Sequence, residues 1–407
     1  MRTVWQDPRA RRMLGAILMS SLGFGLNVLA LGQLLFELTG STGAFVTVLA
    51  SQGIGAICVL PFCGPVVDAL RSTRVYVTAA LCKAACVLAI AGFAAAPVGD
   101  PVPFIMAAAV LLAVFDNVER AALFKFTAHH IDRGLVVRFN AVTGMAFQVG
   151  VVIGMALLGV VLAFGTPARA LLVSVAASAL CAGVARGVRP ERTENTRPLS
   201  PALLRAALTG MLGDWRRMFG RYRGEAVVFA MVVTCAADFL FANSMSTLVV
   251  PLVDRFYEGR SWYVSALEAT FGVGMVTASF FTSRTAKQKL LPFWLAVQAA
   301  IALLLSAGGN PVVHFAAFLL GGFANLNSLV WLLASLQQHA GEGDKAKMAS
   351  LRLLAIGLGS VLLMPAVGRA AKVSLGTGYA GVAAIMLAFA LCGVWVAARF
   401  RPRVPVG

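Results

Sequence analysis

The sequence predicts an all-α polytopic membrane protein, with twelve transmembrane helices in two six-helix bundles. Three observations predict it. Of the 407 residues, 59% are hydrophobic and only 13% are charged, where soluble domains carry about 25% charged residues. Twelve apolar runs each reach the ~20 residues that a helix needs to cross the bilayer core. One long polar gap, 187–225, divides the runs six and six. A soluble globule could not hide so much apolar surface, and a disordered chain would not carry it. Glycine has no three-residue period, and seven cysteines are too few for a disulfide scaffold, so fibrous and disulfide-stapled classes are excluded.

The runs lie at 13–36, 43–67, 75–97, 102–124, 140–164, 168–187, 226–251, 261–283, 290–308, 312–338, 350–371 and 376–398. None shows the alternation of a membrane β-barrel strand. The first is too long for a signal peptide and lacks a small-residue cleavage site, so it is expected to be retained. An even number of spans puts both termini on one side. With the N-terminus inside, only Arg169, Arg255, Arg260, Arg369 and Lys372 of the 34 Lys and Arg fall outside, while Lys83 and Arg120 lie within spans. The positive-inside rule therefore places both termini in the cytoplasm. The same distribution accounts for the net charge of +17 through topology and anionic headgroups, and argues against nucleic-acid binding.

These boundaries divide the chain into an N-terminal bundle at 1–186, a cytoplasmic linker at 187–225 and a C-terminal bundle at 226–407. In the linker, Leu204, Leu208, Leu212, Trp215, Phe219 and Tyr222 recur at helical spacing. Arg205, Arg216, Arg217, Arg221 and Arg223 are interleaved with them. The pattern predicts an amphipathic helix on the cytoplasmic membrane surface, in contact with lipid.

Ionisable residues inside spans are costly, and they mark functional sites by default. Those within or closing the spans are Lys83, Asp116, Glu119, Arg120, Asp238 and Glu268. Span three starts inside and span four ends inside. A rise of about 1.5 Å per residue then puts Lys83 and Asp116 at similar depths, roughly 12 Å from the inner boundary. They can pair across the bundle, and Asp116 can pair with Arg120 one turn on. Glu119 lies nearer the cytoplasm, within reach of Arg71 or Arg74. Two readings stay open for this group: a neutral structural network, or a site for protons and substrate. Two cations beside Asp116 favour the structural reading for that residue.

Asp238 lies near the middle of span seven with no cation on its own helix. A carboxylate shielded from water takes up a proton readily, so Asp238 leads the candidates for proton coupling, ahead of Asp116 and Glu119. Its alternative role is a packing hydrogen bond to a neighbouring span. Glu268, in the outer third of span eight, can pair with Arg255 or Arg260 or mark the outer mouth. Candidate substrate contacts are Asn27, Lys83, Arg120, Gln148, Asn243, Glu268 and Asn325, with Asn327 and Gln52 beside them. Phe147, Phe239, Phe241 and Met245 lie near these residues and suit an amphiphilic ligand.

No cofactor, metal or catalytic constellation is expected. The cysteines (Cys58, Cys63, Cys82, Cys86, Cys181, Cys235 and Cys392) lie in spans and form no C-x-x-C pair. His129 and His130 are adjacent and point apart on a helix, so they do not read as metal ligands. No G-x-x-x-x-G-K-[ST] loop is present, so ATP-driven transport has no support.

Between spans two and three runs Gly64-Pro65-Val66-Val67-Asp68, followed by Arg71 and Arg74. This resembles the signature loop of the major facilitator superfamily: a glycine, an aspartate four residues on, and basic residues in the next turn. Arg71 stands where a glycine is usual. The corresponding loop of the second half, Ser283-Arg284-Thr285-Ala286-Lys287, keeps the basic charge without the aspartate. Leu35-Phe36-Glu37-Leu38-Thr39-Gly40-Ser41, Arg120-Ala121-Ala122-Leu123 and Arg138-Phe139-Asn140-Ala141 add to the match, as do Gly144, Gly150, Gly154 and Gly159. Together they resemble the twelve-helix branch of macrolide and siderophore exporters and, more distantly, lysophospholipid transporters.

The resemblance implies the major facilitator fold, with helices one, four, seven and ten lining a central cavity. It implies a multi-pass protein of the bacterial cytoplasmic membrane that is not an enzyme and works as a monomer. The implied function is secondary active transport by alternating access: proton-coupled export of a small amphiphilic compound, drug- or siderophore-like. Gly64, Asp68, Arg71 and Arg74 are then the cytoplasmic gate. The alternatives are a lysophospholipid flippase and a transport-dead receptor of the same fold. Lys83, nine residues after Arg74, is spaced as in lysophospholipid transporters, but Phe24 to Leu26 are apolar where that family would place an acid on helix one.

Overall fold

The computed structural model describes residues 4–39, 42–95, 99–188, 194, 201–258, 262–341 and 343–401. The expected contacts of Gly40, Ser41 and Arg260 lie outside the described residues. Among the described residues thirteen α-helices follow in order. They are α1 (Pro8–Thr39), α2 (Thr42–Ala69), α3 (Ser72–Ala95), α4 (Pro101–His130), α5 (Val136–Phe164), α6 (Pro167–Arg186), α7 (Pro201–Arg221), α8 (Ala226–Phe256), α9 (Trp262–Thr285), α10 (Leu291–Ser306), α11 (Pro311–His339), α12 (Lys345–Val373) and α13 (Leu375–Arg399). Twelve are long and apolar enough to cross a membrane, and α7 lies in the linker between the two sets of six.

Local chemistry explains where the helices begin. Proline opens α1, α4, α6, α7 and α11, a position where its missing N–H costs nothing. Asp100 caps α4 by accepting from the Val102 amide, and Ser374 with Thr377 forms a capping box on α13. Several helices outrun the apolar stretch that announced them. The fourth span, expected to end at 124, continues to His130, and the eleventh, expected from 350, begins at Lys345. Hydropathy reports only the segment of a helix inside the hydrocarbon, whereas its backbone bonding continues into polar surroundings. These extra turns carry Lys125, Ala346 and Lys347, which matter below.

Two compact units form. The first contains the chain up to Asp132, Ala146–Met218 and Ala340–Leu353. The second contains Arg133–Met145, Phe219–His339 and the chain from Leu354 on. The cuts therefore pass through α5 and α12 as well as near the linker's end. In the first unit α1 packs on α6, α6 on α3, α3 on α4 and α4 on α2. In the second α8 packs on α13, α13 on α10, α10 on α11 and α11 on α9. The order of neighbours is the same in both, so α1, α3 and α4 correspond to α8, α10 and α11.

The core of the first unit joins Leu26, Leu31, Leu34 and Leu35 of α1 to Val48, Val87, Ile90, Ile105, Leu158 and Leu171. Gly154 of α5 touches the α1 backbone at Leu22 so closely that a Cβ would overlap its carbonyl. Large apolar side chains such as Phe280, Leu362 and Leu391 point outward, which suits a surface facing lipid. Hydroxyls hide in this setting by bonding back one turn, as Ser21 does to Ile17 and Thr234 to Ala230.

Candidate functional site

Three polar assemblies stand out against the apolar helices. The first surrounds a cavity within the first unit. On α1, Ser20, Phe24, Asn27, Val28 and Leu31 fall on one face at helical spacing and form one wall. Gln52, Lys83, Leu112, Ala113, Asp116, Asn117 and Ser178 supply the rest, from α2, α3, α4 and α6. The Lys83 ammonium meets Ser20 Oγ at 2.9 Å, Asp116 Oδ1 at 3.0 Å and Glu119 Oε2 at 2.5 Å. The first two are hydrogen bonds, and the third is an ion pair. Arg120 Nε donates to Asp116 Oδ2 at 3.2 Å, and its guanidinium carbon lies 5.5 Å from the centre of the Phe147 ring. Lys83 and Asp116 therefore meet across the bundle, as their depths allow. Glu119 does not reach Arg71 or Arg74. It is buried and neutralises Lys83, beside the Tyr76 hydroxyl.

The second assembly lies in the second unit. Asp238 of α8 is 2% exposed. Its Oδ1 accepts from Gln298 Nε2 of α10 at 3.2 Å and from the Ser328 hydroxyl of α11. Gln298 also donates to Ser328 at 2.9 Å, and Asn325 Nδ2 holds the Asp238 backbone carbonyl at 2.7 Å. Asn325, expected on a cavity wall, is thus sealed inside the packing. Asn327 is sealed too, between the Thr285 hydroxyl and the Phe323 carbonyl. A buried amide in an apolar bundle takes whatever partner the neighbouring helix presents. Glu268 is hydrogen-bonded to Ser246, and Arg255 lies over Phe256 instead of pairing with it. Gln148 and Asn243 are half-buried on α5 and α8 and join neither assembly.

The third assembly is at the α2–α3 turn. Asp68 ends α2, and its carboxylate accepts from the Ala346 amide at 2.7 Å and the Lys347 amide at 3.0 Å. These are orphan N–H groups in the first turn of α12, so one helix's aspartate caps another helix. Lys347 Nζ adds an ion pair at 3.8 Å. Gly64 explains its own identity: a Cβ there would come within 2.7 Å of Lys347 Cα. Among the described residues neither Arg71 nor Arg74 touches Asp68. Arg71 lies in the α2–α3 turn, half-buried, and Arg74 in the first turn of α3, exposed.

Lys125 of α4 takes the place expected for the arginines. Its ammonium donates to the carbonyls of Val67, Asp68 and Leu70 at 3.2, 3.0 and 2.6 Å. It thereby caps the end of α2.

The linker closes over this turn. Glu194 accepts from the Ser72 amide at 2.9 Å and the Ser72 hydroxyl at 2.5 Å, and contacts His130 at 2.8 Å and Lys125 at 3.2 Å. Burial alone would raise its carboxyl. The bonds from His130 and Ser72, with the Lys125 charge, outweigh burial and hold it well below the usual range. Further along the linker, Trp215 Nε1 of α7 donates to the Pro61 carbonyl at 2.8 Å. Pro65 has no N–H, so that carbonyl has no partner inside its own helix. Met218 and Tyr222, one and two turns after Trp215, are buried, whereas Arg216, Arg217, Arg221, Leu212 and Phe219 are exposed. The side chains of Leu204 and Leu208 lie outside the described ones.

Sequence reasoning missed Lys125, Ser72, His130, Glu194, Lys347, Gln298 and Ser328. A charge just past an apolar run, as at Lys125 or Lys347, is the one signal that could have found some of them.

The sequence profile of the Major Facilitator Superfamily matches residues 13–364. The chain belongs to that superfamily, and with its twelve spans it is a multi-pass membrane protein. No curated protein sequence matches it significantly. Among solved structures it is similar to a bacterial homologue of the iron transporter ferroportin in an outward-facing state. That match has a TM-score of 0.79 and 13% identity, over 96% of this chain and 100% of the other. The fucose:proton symporter FucP of E. coli aligns with a TM-score of 0.73 and 15% identity, over 97% and 99% of the two chains. The human organic anion transporter MFSD10 aligns with a TM-score of 0.71 and 16% identity, over 96% and 99%. At these identities the likeness is one of fold.

Proposed function

We propose that this protein is a secondary active transporter that works by alternating access and exports a small amphiphilic organic compound in exchange for protons. The observation that carries the reading is Asp238. Its carboxylate is buried at the junction of three spanning helices, and Oδ1 is held by an amide and a hydroxyl. A carboxylate this deep in an apolar bundle is costly while charged, and taking up a proton relieves that cost. The first-unit cavity, with apolar walls and a few amide groups, suits an amphiphile. Proton coupling also occurs in the similarly folded FucP, by its description.

Asp68 and Gly64 form the gate in this reading, with Lys125 and Lys347 as the basic partners. Opening it must break a pair of charge-assisted N–H···O bonds. The positive-inside rule puts this gate and both termini at the cytoplasmic face, and the exposed arginines of α7 against anionic headgroups. Export as the direction rests on the resemblance of the span-four and span-five segments.

The test is proton release from the purified protein in detergent as aromatic amphiphiles are added. Native protein is expected to release protons on binding. Asp238→Asn keeps an acceptor for Ser328 and Gln298, so it is expected to bind the same compounds with no release. Binding by native protein without release would overturn proton exchange and favour a flippase, a uniporter or a receptor.

A further inference from the structure

We infer that the first-unit cavity takes an organic anion, an aromatic amphiphile bearing a carboxylate, and that Arg120 receives its charged end. This deepens the reading of that cavity as the transport site and rests on it. The argument starts from which hydrogen-bonding capacity is already committed. Lys83 donates to Ser20 and Asp116, and its ammonium is ion-paired with Glu119. Both carboxylate oxygens of Asp116 receive a cation, one from Lys83 and one from Arg120. Glu119 is closed in with Lys83. Two cations and two carboxylates cancel, so the cluster presents no net charge to attract a ligand.

Arg120 is the exception in capacity. Only its Nε is engaged among the described residues, and 40% of its side chain is exposed. The remaining four N–H groups form a planar edge that matches a carboxylate in a two-pronged bond. Arg120 does not itself line the cavity, but it is held beside it. Its Asp116 bond ties it to the cavity wall, and the Phe147 ring backs it at 5.5 Å. Phe147 in turn lies 6.0 Å from Phe24, which lines the cavity. A ligand with its carboxylate on Arg120 would lay its apolar body against Phe147, Phe24 and Leu31. Asn27 Oδ1 is buried and has no hydrogen-bond partner among the described residues, so it can accept from a hydroxyl or N–H on that body. A cationic amphiphile fits less well. The negative charge of Asp116 is already balanced by Lys83 and Arg120, which would repel a second cation.

The test uses three probes of one shape: 1-naphthylacetate, its neutral amide and 1-naphthylethylamine. Their binding is titrated against the full-length protein in detergent. Native protein is expected to prefer the acid. Arg120→Gln is expected to weaken the acid by at least about tenfold while leaving the amide unchanged. Arg120→Lys, which keeps the charge but loses the planar edge, is expected to recover some of the loss. Gel filtration of both variants shows whether they fold. Equal affinity for the three probes, preference for the amine, no binding of the acid by native protein, or an acid affinity untouched in Arg120→Gln overturns the assignment. Uptake of the acid into proteoliposomes separates the two readings. Arg120-dependent binding without uptake leaves the site standing and removes transport.

Discussion

The two halves of the molecule tie the same three helices together with opposite chemistry. In the first half Ser20 of α1, Lys83 of α3 and Asp116 with Glu119 of α4 form one knot. In the second, Asp238 of α8, Gln298 of α10 and Ser328 with Asn325 of α11 form the corresponding knot. The first concentrates charge on the third and fourth helices and cancels it there. The second puts its carboxylate on the first helix and surrounds Oδ1 with neutral donors. A repeat that keeps its packing can thus carry an ion-paired cluster in one half and, in the other, a carboxylate whose Oδ1 takes an amide and a hydroxyl.

The sharpest way to break the comparison is to remove one cation. Lys83→Met strands the buried Glu119 carboxylate and leaves Asp116 with Arg120 alone, and the loss should reach about 3–5 kcal/mol. A large drop in melting temperature in a thermal-shift measurement checks it, and adding Glu119→Gln should restore some of the loss. Gln298→Leu removes the bonds of one uncharged amide in the other half, so its cost should be about 1–2 kcal/mol. Equal costs for the two variants would mean that the knots are energetically alike.

Gly64→Ala tests the α2–α12 contact, which lies outside both knots. The added methyl must push apart α2 and the first turn of α12, at about 1–3 kcal/mol. Greater reactivity of Cys63, one residue away and buried, would report the opening.

The smallest effect is one of pH. Glu194 has its carboxyl held low in the folded protein. The stability it supplies is therefore complete above the ordinary carboxylate range and is lost only as the pH falls below it. Melting temperatures of native protein and Glu194→Gln should differ by a constant amount from pH 6 to 8 and converge only in acid.

Much of this was legible in the sequence because membranes simplify the problem. Span number follows from apolar length, and the Lys83–Asp116 pair follows from depth along two antiparallel helices. Asp68 could be singled out because topology explains arginines but not an aspartate. Its partners were hidden. They are backbone amides more than 270 positions away, and an amide carries no side-chain signature. The arginines drew attention by residue type, yet the lysine just beyond the apolar run supplies the cap. Gln298 and Ser328 were obscure because mid-span polar residues announce a partner without naming it. Glu194 was lost among the many charges of the linker.

The Trp215 contact changes what the linker is. A tether between two bundles has slack, and its length matters only weakly. This one is read at a fixed address, the carbonyl that a proline leaves vacant, and at a second, the cradle around Glu194. Within α7 the chain has phase as well as length. One residue inserted into α7 ahead of Trp215 would swing the indole by about 100° around its helix. The insertion would cost the chain almost nothing in reach, but it would turn the donor away from Pro61.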